Sequence, residues 1–533
     1  MAWQAPLNWG ARVQSVAARA ASNRPVCCAT ETPTEAGWFR LAGNGRTLIA
    51  GGRLALASVV GRLSIVRHPI ARTRLRMQES TIAAIRFGLG LGPGQQPETA
   101  AEILASLQTE DRVAQAYPTI TYERAEELSR LHKETLDALK KREPGADDAH
   151  GKIKREINLL KPETLRAVFA RAMDTEAPLR ERLMYFWLDH FTASTQKQPT
   201  APFGPAYMDG AIRANITGTF ADMLKAVVVH PQMLYFLDQP SSIGPGSKIG
   251  KRQGRGLNEN LAREVLELHT LGVGGAYTQT DVREFAKLLT GLFVRASDGF
   301  SYRHDFAEPG AETILGETYG GAKKASLEEI FEFLDDLAIH PDTARHVAGK
   351  LVVHFVSDLP DPDLVSHVAE AWMDSGGDLM TVYAALLNHP GAWVATGLKA
   401  RQPLDFLISG LRALGLSGEQ VMTMDKKLWA PLIVSQLDVM GQPFMRAKGP
   451  DGWDEAAEAW INPLGLATRI RWSMTMPQKI SKTLGIPLAD PRSFVLTALG
   501  DAASPGLIWA VGASETESQA MGLVFASPEF NRR

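Results

Sequence analysis

The chain has 533 residues, 45% hydrophobic and 22% charged, a composition that fits a globular protein and excludes a disordered or membrane-embedded one. Its formal charge of −2 hides an asymmetry: residues 1–76 hold eleven Arg, no Lys and only Glu31 and Glu35, a net of +9, whereas 77–533 hold 46 basic and 57 acidic residues, a net of −11. An acidic body excludes nucleic acid as the principal partner, because phosphate binding needs a basic face, and with both cysteines at Cys27 and Cys28 the body can hold no disulfide, cysteine metal site or cysteine nucleophile.

Residues 1–76 show no sustained helical or alternating period, and read as an Arg-rich unstructured extension. Their most apolar run, 47–66, is interrupted by Arg53 and Arg62 and so makes a poor bilayer span. It also lies too far from Met1 for a secretory signal. The expected true start is Met77, where a helix opens at once; the alternative is an Arg-rich organelle-type or export leader. A start at Met77 implies the cytoplasm, a leader the envelope or periplasm.

From Met77 onward helical periodicity dominates. A charged pair over 123–143 and 152–175 reads as a projecting helical hairpin near 123–160, with a polar turn at 143–151 and a boundary near Pro162. The 178–194 helix is apolar around most of its circumference, with Tyr185, Phe186, Trp187 and Phe191, and must be buried. A helix over 216–238 is closed by His230-Pro231. A flexible basic loop, 239–256, then leads into "GLNENLAREVLELHTLG" (256–272).

On a helical projection of that segment, Asn260, Arg263, Glu264 and Glu267 share one sector, while His269 lies in the middle of the apolar arc. The plain reading is a solvated face with an Arg263–Glu267 pair, worth about 0.2–0.5 kcal/mol. The functional reading is a cleft roofed by the basic loop. There Asn258, Asn260 and Arg263 orient an anionic small molecule, Lys248, Lys251, Arg252 and Arg255 grip it, and Glu264, Glu267 or His190 act as acid and base. His190 shares an arc with Leu183, Phe186 and Trp187, away from Arg182 and Asp189. No cofactor is expected; a metal or haem held by His190 and His269 is the alternative, although the Glu-x-x-His spacing of di-iron bundles is absent.

Farther on, Thr278 and Asp281 form a capping-box signal. The stretch 295–321 reads as irregular, with His304, Asp305 and Glu308 explained by turn chemistry. Helices resume from 326 to the end, and no strand pattern, nucleotide loop, repeat or serine elbow occurs. The class is all-α: one large multi-helix bundle over 77–533, with few or no strands and no transmembrane segment.

The segments "AAIRFGLGLGPG", "RERLMYFWLDHFTAS", "GRGLNENLAREVLELHTLGVGGAYTQTDVREFAKLLTG", "ARHVAGKLVVHFVSD", "DVMGQPFMRAKGPDGWDEAAEAWINP" and "GLVFASPEFNRR" resemble the bacterial family of domain of unknown function 1800, over 78–533. Its hallmark segments fall here on His190, Asn258, Asn260, Arg263, Glu264, Glu267 and His269. The resemblance implies a helical protein and points to a partner: many members are encoded beside proteins similar to the sulfatase and alkaline-phosphatase superfamily. A binding or assembly role beside such a neighbour is therefore the first expectation, and an enzyme acting on an anionic substrate the alternative.

Overall fold

Local chemistry decides where the helices begin. Three His-Pro pairs do so alike: His230, His340 and His389 each accept, through Nδ1, the N–H two residues on, at 3.2, 3.1 and 3.1 Å. Proline supplies the preset φ of the first helical position and lacks the N–H that would go unpaired there. The helices so started are Pro231–Phe236, Pro341–Phe355 and the short Pro390–Trp393. Thr278 and Asp281 form the reciprocal capping box expected of them, opening Gln279–Leu288. The computed structural model describes residues 77–93, 99–194, 201–295, 299–321, 324–395 and 397–533. The extension expected over 1–76 lies outside them.

The charged pair forms two antiparallel helices, Tyr122–Lys140 and Ala146–Asp174, joined by an ion pair from Arg124 to Glu156. The polar turn is shorter than 143–151, since helix resumes at Ala146, and Pro162 marks no boundary. A proline removes one N–H and crowds the carbonyl four residues back. Here that carbonyl belongs to Asn158, which is exposed, so water can satisfy it. The loop 239–256 likewise contains a helix, Lys248–Gln253, capped by Ser247 and closed by Gly254 in the left-handed conformation.

The stretch read as irregular folds into two antiparallel hairpins, Leu292–Arg295 with Gly299–Tyr302 and Ala311–Ile314 with Glu317–Gly320. The second turns on Leu315 and Gly316, both at positive φ, the geometry that matches strand twist. The Leu315 N–H donates to Asp281 Oδ1 at 2.8 Å, which pins the turn to the capping box below it. The remaining elements are helical, and the class is all-α with two small hairpins. No described helix is long and apolar enough to cross a membrane.

The described residues belong to one compact unit, Arg74–Arg533; the other, Met1–Thr73, lies outside them. Two hydrophobic cores sit within it. One gathers residues between Ala83 and Ala392 around Trp187, the other gathers Leu165–Met173 with residues between Phe406 and Phe530 around Trp472. Trp187 is fully buried, and its indole N–H donates to Tyr383 at 2.7 Å. The helix Ala146–Asp174 contributes Val168 to the first core and Phe169 to the second, and Tyr185 and Phe444 pack against both. The Trp187 helix, Pro178–His190, thus runs along the seam between the cores.

Candidate functional site

At the C-terminal end of the Trp187 helix a cavity of about 370 Å³ opens on that seam. Asp189 and His190 line one wall. His346 and Lys350, one helical turn apart on Pro341–Phe355, line the second, and Asp451, Trp453 and Glu455 come from the irregular segment 449–456. The polar groups converge from three stretches far apart in the chain.

Asp189 is clamped from the opposite side of the seam. The Trp453 N–H donates to its Oδ1 at 2.9 Å, and Gly452, at φ +82°, lies so close that a Cβ there would come within 2.8 Å of that oxygen. Burial pushes the Asp189 carboxyl up to about 7; the Trp453 N–H and the Lys350 ammonium pull it down, while Glu455 and Asp451 push it further up. Burial also lowers the Lys350 ammonium, against the pull of Asp189, Glu455 and Asp451. Among the described residues no hydrogen bond or ion pair within 4 Å reaches Lys350. Its ammonium is held only by the longer-range pull of the three carboxylates.

His190 is 2% exposed and is held neutral, far below the ordinary range, first by burial and then by Lys350, His269 and His346. Its Nε2 meets the carbonyl oxygen of His269 at 3.0 Å. A carbonyl only accepts, so Nε2 carries the proton and Nδ1 keeps a lone pair, for which no partner is present. His346 is fixed in the same way on the Leu268 carbonyl, at 3.3 Å. Glu455 is the contrast: burial raises it, but His354 at 2.5 Å and Lys399 at 2.7 Å overcome that and hold its carboxyl at about 2.

Of the site candidates named from the sequence, His190 alone lines this cavity, beside Phe186 of the helix expected to be buried. The 256–272 segment contains an α-helix, Asn260–Glu264, that widens into a π-helical turn, Val265–His269. Thr270 stabilises the wide turn by donating to the Val265 carbonyl, five residues back, at 2.7 Å. The segment serves the cavity through its backbone, since the Leu268 and His269 carbonyls orient two of the imidazoles.

Its side chains lie elsewhere. Arg263 meets Glu259 at 3.4 Å, Glu267 at 3.2 Å and Gln279 at 2.9 Å. Glu264 is half-buried, its carboxyl raised by burial, by Glu267 and by Asp451 of the cavity rim, and no hydrogen bond or ion pair reaches it among the described residues. His269 is 1% exposed against Phe191, and burial lowers it to about 3. Asn258 bonds the Asp238 carbonyl, Asn260 is exposed, and Lys248, Lys251, Arg252 and Arg255 are exposed on the neighbouring loop. His304, Asp305 and Glu308 bond the Ala325 carbonyl, Arg303 and the Gly246 N–H, which is turn chemistry.

Among the described residues no group of three or more His, Cys, Asp or Glu side chains is arranged to hold a metal ion. The His190 and His269 rings are 6.1 Å apart, with Phe191 against both.

Sequence reasoning missed Asp189, Lys350 and Glu455. One signal pointed to Lys350: it is the sole charge between Arg345 and Asp358, and with His346 and His354 it forms an i, i+4, i+8 stripe. Asp189 gave no comparable signal, because what distinguishes it is a loop 264 residues away.

A family model described as a protein of unknown function, DUF1800, matches residues 82–532, nearly all of the described chain. No curated protein and no solved structure matches.

Proposed function

The chain belongs to the DUF1800 family, and from its seam cavity we propose that it is an enzyme performing general acid–base chemistry on a small polar substrate. The observation that carries the reading is the convergence of three groups in unlike protonation states. A carboxyl poised near neutrality suits an acid or base that must give and take a proton at pH 7. A neutral imidazole with a fixed tautomer keeps an unused lone pair on a residue that lines the cavity. An unpaired ammonium can stabilise negative charge as it develops on the substrate. Asp189 moves the proton, His190 orients and accepts, and Lys350 holds the charge. A structural ion pair would instead bring Lys350 and Asp189 into contact, as Lys399 and Glu455 are.

The test is a thermal-shift screen of small polar metabolites against the whole chain, followed by turnover assays on any hit. Asp189→Asn and Lys350→Met should keep the fold, and Asp189→Asn should cost turnover about 100-fold or more. Full rescue of a deletion strain by a folded Asp189→Asn protein ends the proposal.

The reading as an assembly partner of a sulfatase- or phosphatase-superfamily neighbour keeps one observation in its favour. Leu466, Ile470 and Met474 form an exposed i, i+4 stripe on Pro463–Leu484, and Trp509 is 74% exposed on Pro505–Gly512. Co-purification of the two proteins, lost on Trp509→Ser and Ile470→Ser together, tests it. Failure of the intact pair to associate at micromolar concentration removes it.

A further inference from the structure

Behind the cavity, around Asp405 on the helix Pro403–Ala413, the interior holds four guanidinium groups and one carboxylate. Arg182, Arg401, Arg469 and Arg533 are 3%, 0%, 0% and 1% exposed. Arg182 Nη1 and Arg533 Nε stand 3.3 and 3.5 Å from Asp405 Oδ2, and Arg401 Nη1 stands 3.6 Å from Oδ1. Charge-assisted guanidinium–carboxylate bonds run at about 2.7–2.9 Å, so these contacts are loose, and Oδ2 accepts no hydrogen bond at all. Unpartnered donors surround it: Arg182 Nε, Arg401 Nη2, Arg469 Nε, and Nε and Nη1 of Arg533.

Other buried arginines have closer partners, although Arg86 also keeps an unpartnered Nε. Arg171 makes a two-pronged contact with Asp209, Arg213 pairs with Glu181 and Asp111, and Arg180 and Arg86 are met by backbone carbonyls. Around Asp405, four fixed positive charges face one side-chain carboxylate, and among the described residues only Arg469 and Arg401 of the four also donate to backbone carbonyls, those of Arg401 and Arg532. Arginine does not deprotonate in proteins, and uncompensated charge of this size in a dry interior costs several kcal/mol per ion. The neighbouring side chains do not supply the balance: Phe355, Phe406 and Phe530 lie under Arg182, Arg469 and Arg401, Ser409 and Asn531 are neutral, and the Arg533 main-chain oxygen is taken up by the Gly397 and Lys399 N–H groups.

We propose that this cluster is a binding site for a small inorganic anion of the halide class, held among the guanidiniums of Arg182, Arg401 and Arg533 beside Asp405. The ion offsets part of the excess positive charge around Asp405 and ties the Trp187 helix, which carries Arg182, to the segments bearing Arg401 and Arg533. Binding to the folded state alone stabilises it by mass action.

The experiment uses the whole chain in sodium gluconate, chloride and bromide at matched ionic strength. Thermal unfolding should shift upward by about 2–3 °C as chloride replaces gluconate, with a saturating dependence, and Arg401→Met should lose that shift. Crystals grown in bromide should show an anomalous peak among the four guanidiniums, a readout that does not depend on any variant folding. Coincident melting curves in chloride and gluconate, an equal chloride shift in Arg401→Met, or bromide crystals with no peak at the cluster would each overturn the proposal.

Discussion

His190, His230 and His269 are 2%, 7% and 1% exposed, and each is held neutral by the cost of desolvating its cation. The unfolded chain protonates them near pH 6.5, while His230 and His269 in the fold wait until about 3. Folded protein therefore binds fewer protons across that window, and stability falls as pH drops below about 6.5. At about 1.4 kcal/mol per pH unit for each group, the three together remove roughly 4 kcal/mol per unit. Against a total of about 5–15 kcal/mol, near-UV circular dichroism should report unfolding between about pH 4 and 5, and His230→Gln should flatten the slope by about a third. Asp189 acts in the opposite sense. Its folded value lies above its unfolded one, so its burial is costless in strong acid and destabilises fully above about pH 7. Asp189→Asn should raise the melting temperature by about 1–2 °C at pH 8, with the gain vanishing toward pH 4. A carboxylate kept for packing would lower it on removal; one kept for chemistry stabilises when lost. The Glu181–Arg213 pair fits the structural description, with Glu181 fully buried and its oxygens at 2.5 and 3.0 Å from the guanidinium. Arg213→Met should cost about 3–5 kcal/mol in chemical denaturation, because it strands a buried carboxylate.

At the scale of an element, the π-helical turn Val265–His269 decides how the 256–272 segment contributes. A uniform α-helix turns each residue by ~100°; the wide turn re-aims the residues within and beyond it, and the carbonyls of Leu268 and His269 come to face the imidazoles of His346 and His190. Wide turns of this kind recur at functional sites. Thr270 is fully buried, and Thr270→Val keeps its shape while removing the 2.7 Å bond to the Val265 carbonyl. The expected cost is about 1–2 kcal/mol, measured by denaturant unfolding, with a shift of the His190 ring resonances by NMR. Legibility in the sequence divides along the same line. The Thr278–Asp281 box and the buried Trp187 helix were legible because each is encoded within one or two turns. The hairpin at Leu315-Gly316 was not, since a leucine is no signal for positive φ and the carboxylate that takes its N–H, Asp281, lies 34 residues away. The segregation of Glu264 and Glu267 from His269 was legible as well. The wide turn that converts this helix from a donor of side chains into a scaffold for other residues leaves no mark in its composition.

Across the described residues, the cavity sits where the Trp187 helix and Pro341–Phe355 meet the irregular segment 449–456. Lys399, 1% exposed, joins Asp358 and Glu455 at 2.5 and 2.7 Å, and His354 completes the clasp. With the Asp189–Trp453 bond, these contacts fix the irregular segment 449–456 against two helices of the first core. The segment has no regular backbone pairing through most of its length, so its position depends on these side-chain bonds. Glu455→Gln weakens the clasp from the middle, leaving Lys399 with Asp358 alone. If the clasp holds the seam closed, limited proteolysis under native conditions should cut within 443–456 at least about tenfold faster in Glu455→Gln than in the parent chain, since about 1.4 kcal/mol of lost closure multiplies the open population by ten. Cleavage within 141–145, the turn of the charged hairpin far from the seam in sequence, should keep its rate and serve as the internal control. A substrate that occupies the cavity bridges the segment and the helices, through Trp453 and Glu455 on one side and Asp189 and Lys350 on the other, so it should slow the cut in the parent chain and do so less in the variant. Equal cleavage in the two proteins would mean that the seam is held by the apolar contacts of Tyr185 and Phe444, with the charged clasp serving only to set the protonation of the groups it surrounds.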